Sequence, residues 1–156
     1  MSSDIKIQMS LREAALNDSQ LLYQWRNHPS VRMNSFNESE LKWEEHNEWV
    51  KSKIKDPNTF MLIAELEQKR IGVIRFEKCG GEVVVSVNVD PDETGKGWGT
   101  RIIQEGSDLF FKKFSASRAI SARIKKDNEA SLRAFQKAGY QLKEEDKEKV
   151  VLEIVR

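Results

Sequence analysis

The segment from residue 87 to residue 100 reads Val87-Asn88-Val89-Asp90-Pro91-Asp92-Glu93-Thr94-Gly95-Lys96-Gly97-Trp98-Gly99-Thr100. It predicts a strand that passes through a glycine-rich turn into a helix. Glycines at alternate positions let backbone N–H groups point inward at the positive end of the helix dipole, with no Cβ in the way. Such a turn binds phosphate oxygens. Lys96 and Arg101 are placed to add positive charge, which suits a pyrophosphate better than a single carboxylate.

This turn differs from the two common nucleotide-binding motifs. A triphosphate-binding P-loop has a glycine five residues before its Gly-Lys pair and a Ser or Thr directly after it, and neither the neighbourhood of Pro91 nor Gly97 supplies these. The dinucleotide fingerprint needs a third glycine at a fixed place and an opening βαβ unit, and both are missing. From the residues alone, the segment is a phosphate site or a glycine-rich surface turn.

Hydrophobic periodicity before the turn predicts four strands and two helices. The strands cover residues 5–11, 60–66, 71–76 and 83–89, and the last three form an antiparallel meander. The first helix is capped by Asp18 and ends near Pro29. The second starts around Ser39 and ends before Pro57. It places the following apolar residues on or near one face: Leu41, Trp43, Val50 and Ile54.

The pattern after the turn predicts a helix, a strand, a helix and a closing hairpin. These cover residues 98–114, 118–124, 128–138, 140–142 and 150–155, with Gly139 as the C-cap of the last helix. The predicted fold class is therefore α/β (α+β). It has a mixed, mostly antiparallel twisted sheet of six or seven strands with about four flanking helices.

Composition limits the partners and the organisation of the chain. With 156 residues, 38% of them hydrophobic, we expect residues 1–156 to form a single domain with one core. Lys plus Arg (26) nearly balance Asp plus Glu (25), so we expect no nucleic acid or membrane partner. The sequence has no signal-like or membrane-spanning segment, which predicts a cytoplasmic location. The one cysteine, Cys79, lies in a turn-like stretch and is interpreted as a bystander thiol.

Three motifs, taken in order, resemble the GNAT superfamily of N-acetyltransferases over nearly the whole chain. The turn at 94–99 resembles the family's Arg/Gln-x-x-Gly-x-Gly/Ala motif, with Thr94 in place of Arg or Gln. The stretch 128–140 resembles its Asn-x-x-Ala/Ser block followed by Glu-Lys-x-Gly-Phe. The stretches 25–32 and 45–49 resemble the branch that contains ribosomal-protein N-terminal acetyltransferases and the amino-sugar acetyltransferase of pseudaminic acid synthesis.

The resemblance implies acetyl-CoA as co-substrate, no metal, and fourth and fifth strands that splay apart around the pantetheine arm. The thioester is then fixed and polarised, and the acceptor amine attacks it directly, so the rate comes from positioning and electrostatic preorganisation. The implied cofactor-binding residues lie on the fourth strand, the turn and the last helix: Val87, Asn88, Val89, Thr94, Gly95, Lys96, Gly97, Trp98, Gly99, Thr100, Asn128, Ser131 and Phe135.

Two departures from the family leave the proton transfers unassigned. Phe135 stands where many relatives carry a Tyr that protonates the thiolate, and Arg123 where many carry a Glu that acts as base. Glu77 is our first candidate for the base, although a salt bridge with Arg75 at the strand end explains it equally simply. Ser86 is a candidate to orient a catalytic water, as is Asn88 on the same strand face.

On the acceptor side, His46 is predicted as a base or a phosphate donor, and Arg26 and Arg75 as substrate-binding residues. The guanidinium of Arg32, like that of Arg26, would suit a nucleotide diphosphate or an acidic partner. Ordinary helix-end charge and surface polarity are the alternatives for Arg26 and His46. The tryptophans Trp25, Trp43 and Trp49 are expected to pack in the core rather than to stack on a ligand.

These observations predict acetyl transfer to a primary amine of a small-molecule acceptor, with a nucleotide-activated amino sugar favoured. A protein N-terminus, as in ribosomal proteins, is the second candidate, and an antibiotic or polyamine stays possible. Two other classes remain open: a non-catalytic acyl-CoA-binding module and a nucleotide-binding protein that uses the same turn. We expect a monomer or a homodimer.

Overall fold

The computed structural model describes residues 8–156 and shows one seven-stranded sheet in these residues. The strands are β1 (Met9–Glu13), β2 (Thr59–Leu66), β3 (Lys69–Cys79), β4 (Glu82–Val89), β5 (Ala119–Lys125), β6 (Gln141–Glu145) and β7 (Lys149–Val155). Their order across the sheet is β1-β2-β3-β4-β5-β7-β6, and only β4 and β5 pair in parallel. The predicted fold class is confirmed. The first part of the strand predicted at 5–11 lies outside the described residues.

Five α-helices flank this sheet in the described chain. They are α1 (Ser19–Asn27), α2 (Pro29–Met33), α3 (Trp43–Lys55), α4 (Trp98–Lys113) and α5 (Glu129–Lys137). The short helix α2 is the one that sequence periodicity did not predict. Pro29 ends α1, as expected, but it also begins α2, because proline has no N–H to lose at the first helical position. The His28 side chain caps α2 by accepting a hydrogen bond from the Ser30 amide.

Helix α3 begins four residues later than predicted, because residues 34–42 form a loop held by cations from elsewhere in the chain. Arg26 donates to the Asn37 carbonyl (2.7 Å), Arg32 to the Glu38 carbonyl (3.0 Å) and Lys125 to the Glu38 carboxylate (2.7 Å). The predicted apolar face of the helix was also partly wrong. Val50 is fully buried, but the side chains of Trp43 and Ile54 are exposed.

The prediction that Asp18 caps α1 was wrong. Its side chain makes no capping bond to that helix and is 1% exposed. Instead, it accepts two hydrogen bonds from Arg12 (both 2.9 Å), one from Arg70 (3.1 Å) and one from the Ala15 amide (2.8 Å). Two guanidinium groups stabilise a buried carboxylate more than a helix terminus does, so Asp18 ties β1 and β3 to the start of α1.

The core divides between the two faces of the sheet, because successive side chains of a strand point to opposite sides. On one face, Leu62 and Phe76 pack with α4 and α5 residues such as Ile103 and Phe135. On the other face, Met61 and Ile63 pack with Leu22, Trp25 and Val50 of α1 and α3. The helices α1 and α3 therefore cover the face of the sheet opposite α4.

Strands β4 and β5 separate soon after they meet. Only two residue pairs join them, Val84 with Ser121 and Val85 with Ala122. Beyond these pairs the strands diverge and leave a wedge between residues 86–89 of β4 and 123–125 of β5. The predicted splay of the fourth and fifth strands is thus confirmed.

Candidate active site

The glycine-rich turn has the backbone conformation that its sequence predicts. Gly95 (φ 77°) and Gly97 (φ 85°) lie in the left-handed region, which other residues rarely adopt. No atom lies within 4 Å of the Cβ position of either glycine, so the turn is open at both points. Gly97 directly precedes α4, whose first-turn N–H groups have no partner inside the helix. The turn therefore presents free backbone donors at a helix N-terminus.

A cavity of about 840 Å³ occupies the wedge between β4 and β5 and extends to this turn. All the predicted cofactor-binding residues except Lys96 line it: Val87, Asn88, Val89, Thr94, Gly95, Gly97, Trp98, Gly99, Thr100, Asn128, Ser131 and Phe135. The structure thus brings the strand, the turn and the last helix of the sequence prediction to a single space.

The charges predicted for the turn are engaged elsewhere. Lys96 bonds the carboxylate of Glu93 at 3.3 Å, and Glu93 also accepts a bond from Lys69 at 2.8 Å. Arg101 pairs with Glu105, one helical turn away, at 3.0 Å. Neither Lys96 nor Arg101 lines the cavity. An anion at the turn would therefore meet backbone dipoles rather than these two cations.

Helix α5 closes the same cavity. Its N-cap is Asn128, whose side-chain oxygen accepts the Ser131 amide at 3.3 Å. Phe135 is 3% exposed and packs edge-on against Tyr140, with ring centres 5.0 Å apart. Tyr140 does not replace the missing phenol at Phe135, because its own hydroxyl is buried against Ser107 (2.8 Å) and burial raises its pKa above the ordinary value.

A second, smaller cavity of about 320 Å³ adjoins the first. It is lined mainly by apolar and aromatic side chains from α1, α3, β2 and β3, together with a few polar ones: Leu22, Trp25, Arg26, Leu41, Glu45, His46, Trp49, Met61, Val73, Arg75 and Asn88. Arg26, Arg75 and Asn88 line both cavities. The two cavities are therefore adjacent, with these three side chains between them.

His46 lies in the wall of the smaller cavity and is 6% exposed. Its Nε2 is 3.0 Å from the Ser19 carbonyl oxygen. Because a carbonyl only accepts, Nε2 carries the proton, and Nδ1 is the basic nitrogen of the neutral ring. Burial lowers the pKa of His46 below its ordinary value, and the charge of Arg26 adds to that effect. Within residues 8–156, Nδ1 has no hydrogen-bond partner.

Glu77 lines neither cavity. Its carboxylate accepts bonds from Lys53 (2.7 Å) and Arg75 (2.6 Å). Burial opposes its charge, but these two cations outweigh that effect, and the pKa of Glu77 lies below its ordinary value. The geometry therefore favours the salt-bridge interpretation of Glu77 over the base. Arg75 also stacks on Trp49, with its guanidinium carbon 4.8 Å from the ring centre.

Ser86 and Arg123 line the larger cavity where β4 and β5 diverge. The Ser86 hydroxyl is exposed and lies 3.5 Å from Arg75 Nη2. Arg123 pairs with Glu82 at 2.9 Å, so the position of the family base holds an ion-paired cation.

Sequence reasoning missed the contributions of Glu45 and of the 34–42 loop. Glu45 lines the smaller cavity next to His46. The one sequence signal for it was its place in the stretch 45–49, which resembles the family branch. Ser35 and Phe36 line the larger cavity, a consequence of the long-range contacts that fold the loop over it.

Metal ligands do not cluster in the described part of the chain. Residues 8–156 contain no group of three or more His, Cys, Asp or Glu side chains suited to a metal ion. None of the helices in this part of the chain is long and apolar enough to cross a membrane.

Comparison with known proteins identifies the family. A family model described as the acetyltransferase (GNAT) domain matches residues 8–141. The chain therefore belongs to the acetyltransferase (GNAT) domain family. An uncharacterized protein of Methanocaldococcus jannaschii is 29% identical over an alignment of 139 residues, and the match covers 83% of this chain and 27% of that protein. The chain thus spans about a quarter of the length of this curated relative.

Solved structures share the fold at low identity. AAC(6')-Ib in complex with paromomycin and acetyl-CoA has a TM-score of 0.83 at 18% identity, covering 96% of this chain and 94% of that one. Spermidine N-acetyltransferase from Vibrio cholerae, in complex with CoA and spermine, has a TM-score of 0.83 at 17% identity, and the match covers 95% of each chain. The ribosomal L7/L12 α-N-protein acetyltransferase RimL, in complex with CoA, has a TM-score of 0.80 at 14% identity, and the match covers 97% of each chain.

Proposed function

We propose that this chain transfers an acetyl group from acetyl-CoA to a primary amine. The observation that carries the proposal is that the two cavities lie next to each other and share Arg26, Arg75 and Asn88 in their walls. One cavity joins the phosphate-binding turn to the wedge, and the other ends among α1 and α3. A cofactor and an acceptor that enter from these two sides meet beside β4. Similar proteins bind CoA or acetyl-CoA, which supports this assignment of the larger cavity.

In this proposal the chain acts mainly by placing its two ligands. The free amides at the start of α4 hold the diphosphate, and the unpaired edge of β4 at residues 86–89 holds the pantetheine arm. Bound acetyl-CoA supplies the activated acetyl group. The α5 residues Asn128, Ser131 and Phe135 close the cavity on the other side. We take residues 1–156 as one such domain.

The base in this proposal is His46 rather than Glu77. An alkyl ammonium has a pKa near 10, so the amine must lose a proton before it attacks. Burial lowers the pKa of His46 and so favours its neutral form, its basic nitrogen is Nδ1, and it lines the smaller cavity. Glu77 is engaged by two cations and lines neither cavity. Ser86 is assigned to orient a water next to the wedge.

Among acceptors, we propose a nucleotide-activated amino sugar, as in the pseudaminic acid branch. The two arginines at the junction and the aromatic walls of Trp25 and Trp49 suit a phosphate-bearing ligand with a ring. A protein N-terminus is the second candidate, supported by the likeness to RimL. A non-catalytic acyl-CoA-binding module is the third, supported by Phe135 and Arg123 at the family's catalytic positions.

Release of CoA thiol from acetyl-CoA, measured with and without a panel of amines, tests the proposal. We expect thiol release that depends on the amine, and an acetylated amine by mass spectrometry. His46→Gln should lower kcat, because Gln keeps a donor for the Ser19 carbonyl but has no basic nitrogen. Glu77→Gln is the matched comparison and should lower kcat less. Binding of acetyl-CoA without any amine-dependent release would favour the non-catalytic module.

A further inference from the structure

Arg26 occupies an unusual position in the small cavity, and the role inferred for it rests on the proposed acetyl transfer. Its Nη2 donates to the Asn37 carbonyl at 2.7 Å. Its Nη1 is buried and has no hydrogen-bond partner in the described chain. Of the buried side-chain nitrogens in residues 8–156, it is the one left unsatisfied. An unpaired buried donor costs free energy, and a charged one costs more.

The charges around Arg26 increase this cost. No carboxylate within residues 8–156 forms a salt bridge with it, although the neighbouring Arg75 is paired with Glu77. Burial lowers the pKa of Arg26, and the positive charges of Arg75 and Arg32 lower it further. A guanidinium in such a place is stabilised when an anion joins it, because the anion supplies the countercharge that no carboxylate of residues 8–156 provides.

The position of this donor defines what the anion is. Arg26 lines both cavities, at the junction where the acceptor meets the wedge. We infer that the acceptor carries an oxyanion, a carboxylate or a phosphate, which the part of the Arg26 guanidinium that lines the cavities binds while the amine points into the wedge. Arg75 borders the same junction and adds positive charge. Amines that carry such an oxyanion include amino acids, amino sugar phosphates and amino nucleotides, and we expect the acceptor to belong to one of these chemical classes.

The same arrangement selects against polycations. Similar structures hold paromomycin or spermine, but Glu45 is the one acidic side chain in the small cavity here, against Arg26 and Arg75. A polyamine that entered this cavity would meet the Arg26 guanidinium, which forms no salt bridge within residues 8–156, and like charges disfavour binding. We therefore expect this chain to discriminate against such acceptors despite the shared fold.

Arg32 provides a matched control for Arg26. Both arginines donate to a carbonyl of the 34–42 loop, Arg26 to Asn37 and Arg32 to Glu38. Arg32 lines neither cavity. Arg26→Gln and Arg32→Gln thus remove similar loop contacts, but only the first removes the proposed anion site.

The first test is a titration of tryptophan fluorescence, since Trp25 and Trp49 line the small cavity. Inorganic phosphate, pyrophosphate and acetate are added to the wild type, Arg26→Gln and Arg32→Gln, each with and without saturating CoA. We expect saturable binding of at least one anion, weakened about 10- to 100-fold in Arg26→Gln and unchanged in Arg32→Gln. Equal binding in wild type and Arg26→Gln, or no anion binding at all, would overturn the inference.

A second test separates the anion sources and the underlying function. Acetyl transfer is compared for glucosamine and glucosamine 1-phosphate, for phenylalaninamide and phenylalanine, and for spermidine. We expect the anionic member of at least one pair to have the lower KM, and that advantage to disappear in Arg26→Gln but not in Arg32→Gln. Preference for spermidine would contradict the inference but leave acetyl transfer standing. If no amine is acetylated, the proposed function fails, and the anion titration still decides the role of Arg26.

Discussion

Gly97 holds a backbone conformation that few other residues tolerate, directly before the helix whose amides face the large cavity. Gly97→Asp should abolish CoA binding, because it places a carboxylate where the diphosphate is proposed to lie. Gly81 has nearly the same φ (83°) and equally open surroundings, but it lies in the β3–β4 turn. Gly81→Asp should therefore cost similar stability, about 1 kcal/mol, and keep CoA binding. Calorimetric titration with CoA compares the affinities of the two variants. Unchanged affinity in Gly97→Asp would show that the turn is not part of the CoA site.

His46 couples stability to pH in a defined direction. Burial lowers its pKa in the folded state, so the unfolded chain binds the proton more readily. The neutral ring therefore stabilises the fold fully above its ordinary pKa of about 6.5, and this contribution is lost as the pH falls below that value.

Urea unfolding at pH 7.5 and pH 5.5 checks this sign. The stability advantage of the wild type over His46→Gln should be smaller at the lower pH. The lowered pKa values of Asp18 and Glu77 act below about pH 5, outside this range. A pH-independent difference between wild type and His46→Gln would contradict the prediction.

Among individual residues, the sequence predicted those features that depend only on the local backbone conformation. The glycine turn followed from its own sequence, since left-handed conformations and free helix amides are local properties. The ion pairs that engage Lys96 and Arg101 were missed, although their partners Glu93 and Glu105 lie three and four residues away, a spacing that signals such pairs. The unpaired Nη1 of Arg26 has no sequence signal, because it depends on how α1 packs.

Among the elements, β1, β3 and the start of α1 are joined by a single carboxylate. Asp18→Asn removes the charge that pairs with Arg12 and Arg70 and should lower the free energy of unfolding by about 2–3 kcal/mol. Asp127 is exposed and forms no salt bridge or side-chain hydrogen bond within residues 8–156. Asp127→Asn should change stability by less than about 0.5 kcal/mol. Denaturant titration measures the free energy of unfolding of the two variants. Equal values would mean that the ion pairs of Asp18 do not stabilise the fold.

The start of α3 shows why some element boundaries escaped prediction. Ser39 and Leu41 fit a helical pattern, yet they belong to the 34–42 loop. Lys125 lies 87 residues from Glu38 in sequence, and this contact, together with those of Arg26 and Arg32, fixes the loop. Local propensity cannot report a contact over such a separation.

For the molecule as a whole, the proposed binding of CoA in the wedge between β4 and β5 predicts that CoA stabilises the fold. A ligand that binds only the folded chain at a hundredfold excess over its Kd adds about 2.7 kcal/mol. For a chain of this size, this corresponds to a rise in Tm of roughly 5–10 °C. CoA should produce that rise in the wild type and not in Gly97→Asp. ATP at the same concentration should not raise the Tm. An equal rise with ATP would favour the nucleotide-binding alternative.

The global architecture was largely predictable, because the order of strands and helices is read from periodicity and the motifs lie at the family's spacing. The sheet and its mixed pairing follow from that order, whereas the splay of β4 and β5 was implied by the resemblance to the family. The small cavity was not predictable in the same way. Its walls combine α1, α3, β2 and β3, and the inward side of each depends on packing between distant segments.

The two residue pairs that still join β4 to β5 have one further consequence. At Val84 with Ser121 and Val85 with Ala122 the gap closes completely, so it forms a blind end of fixed depth. The walls there are Val85, Ile103 and Ala122, all buried. In the proposed acetyl transfer this closed end would limit the length of the acyl group: an acetyl group would fit, whereas butyryl and longer thioesters would have to break backbone hydrogen bonds to bind.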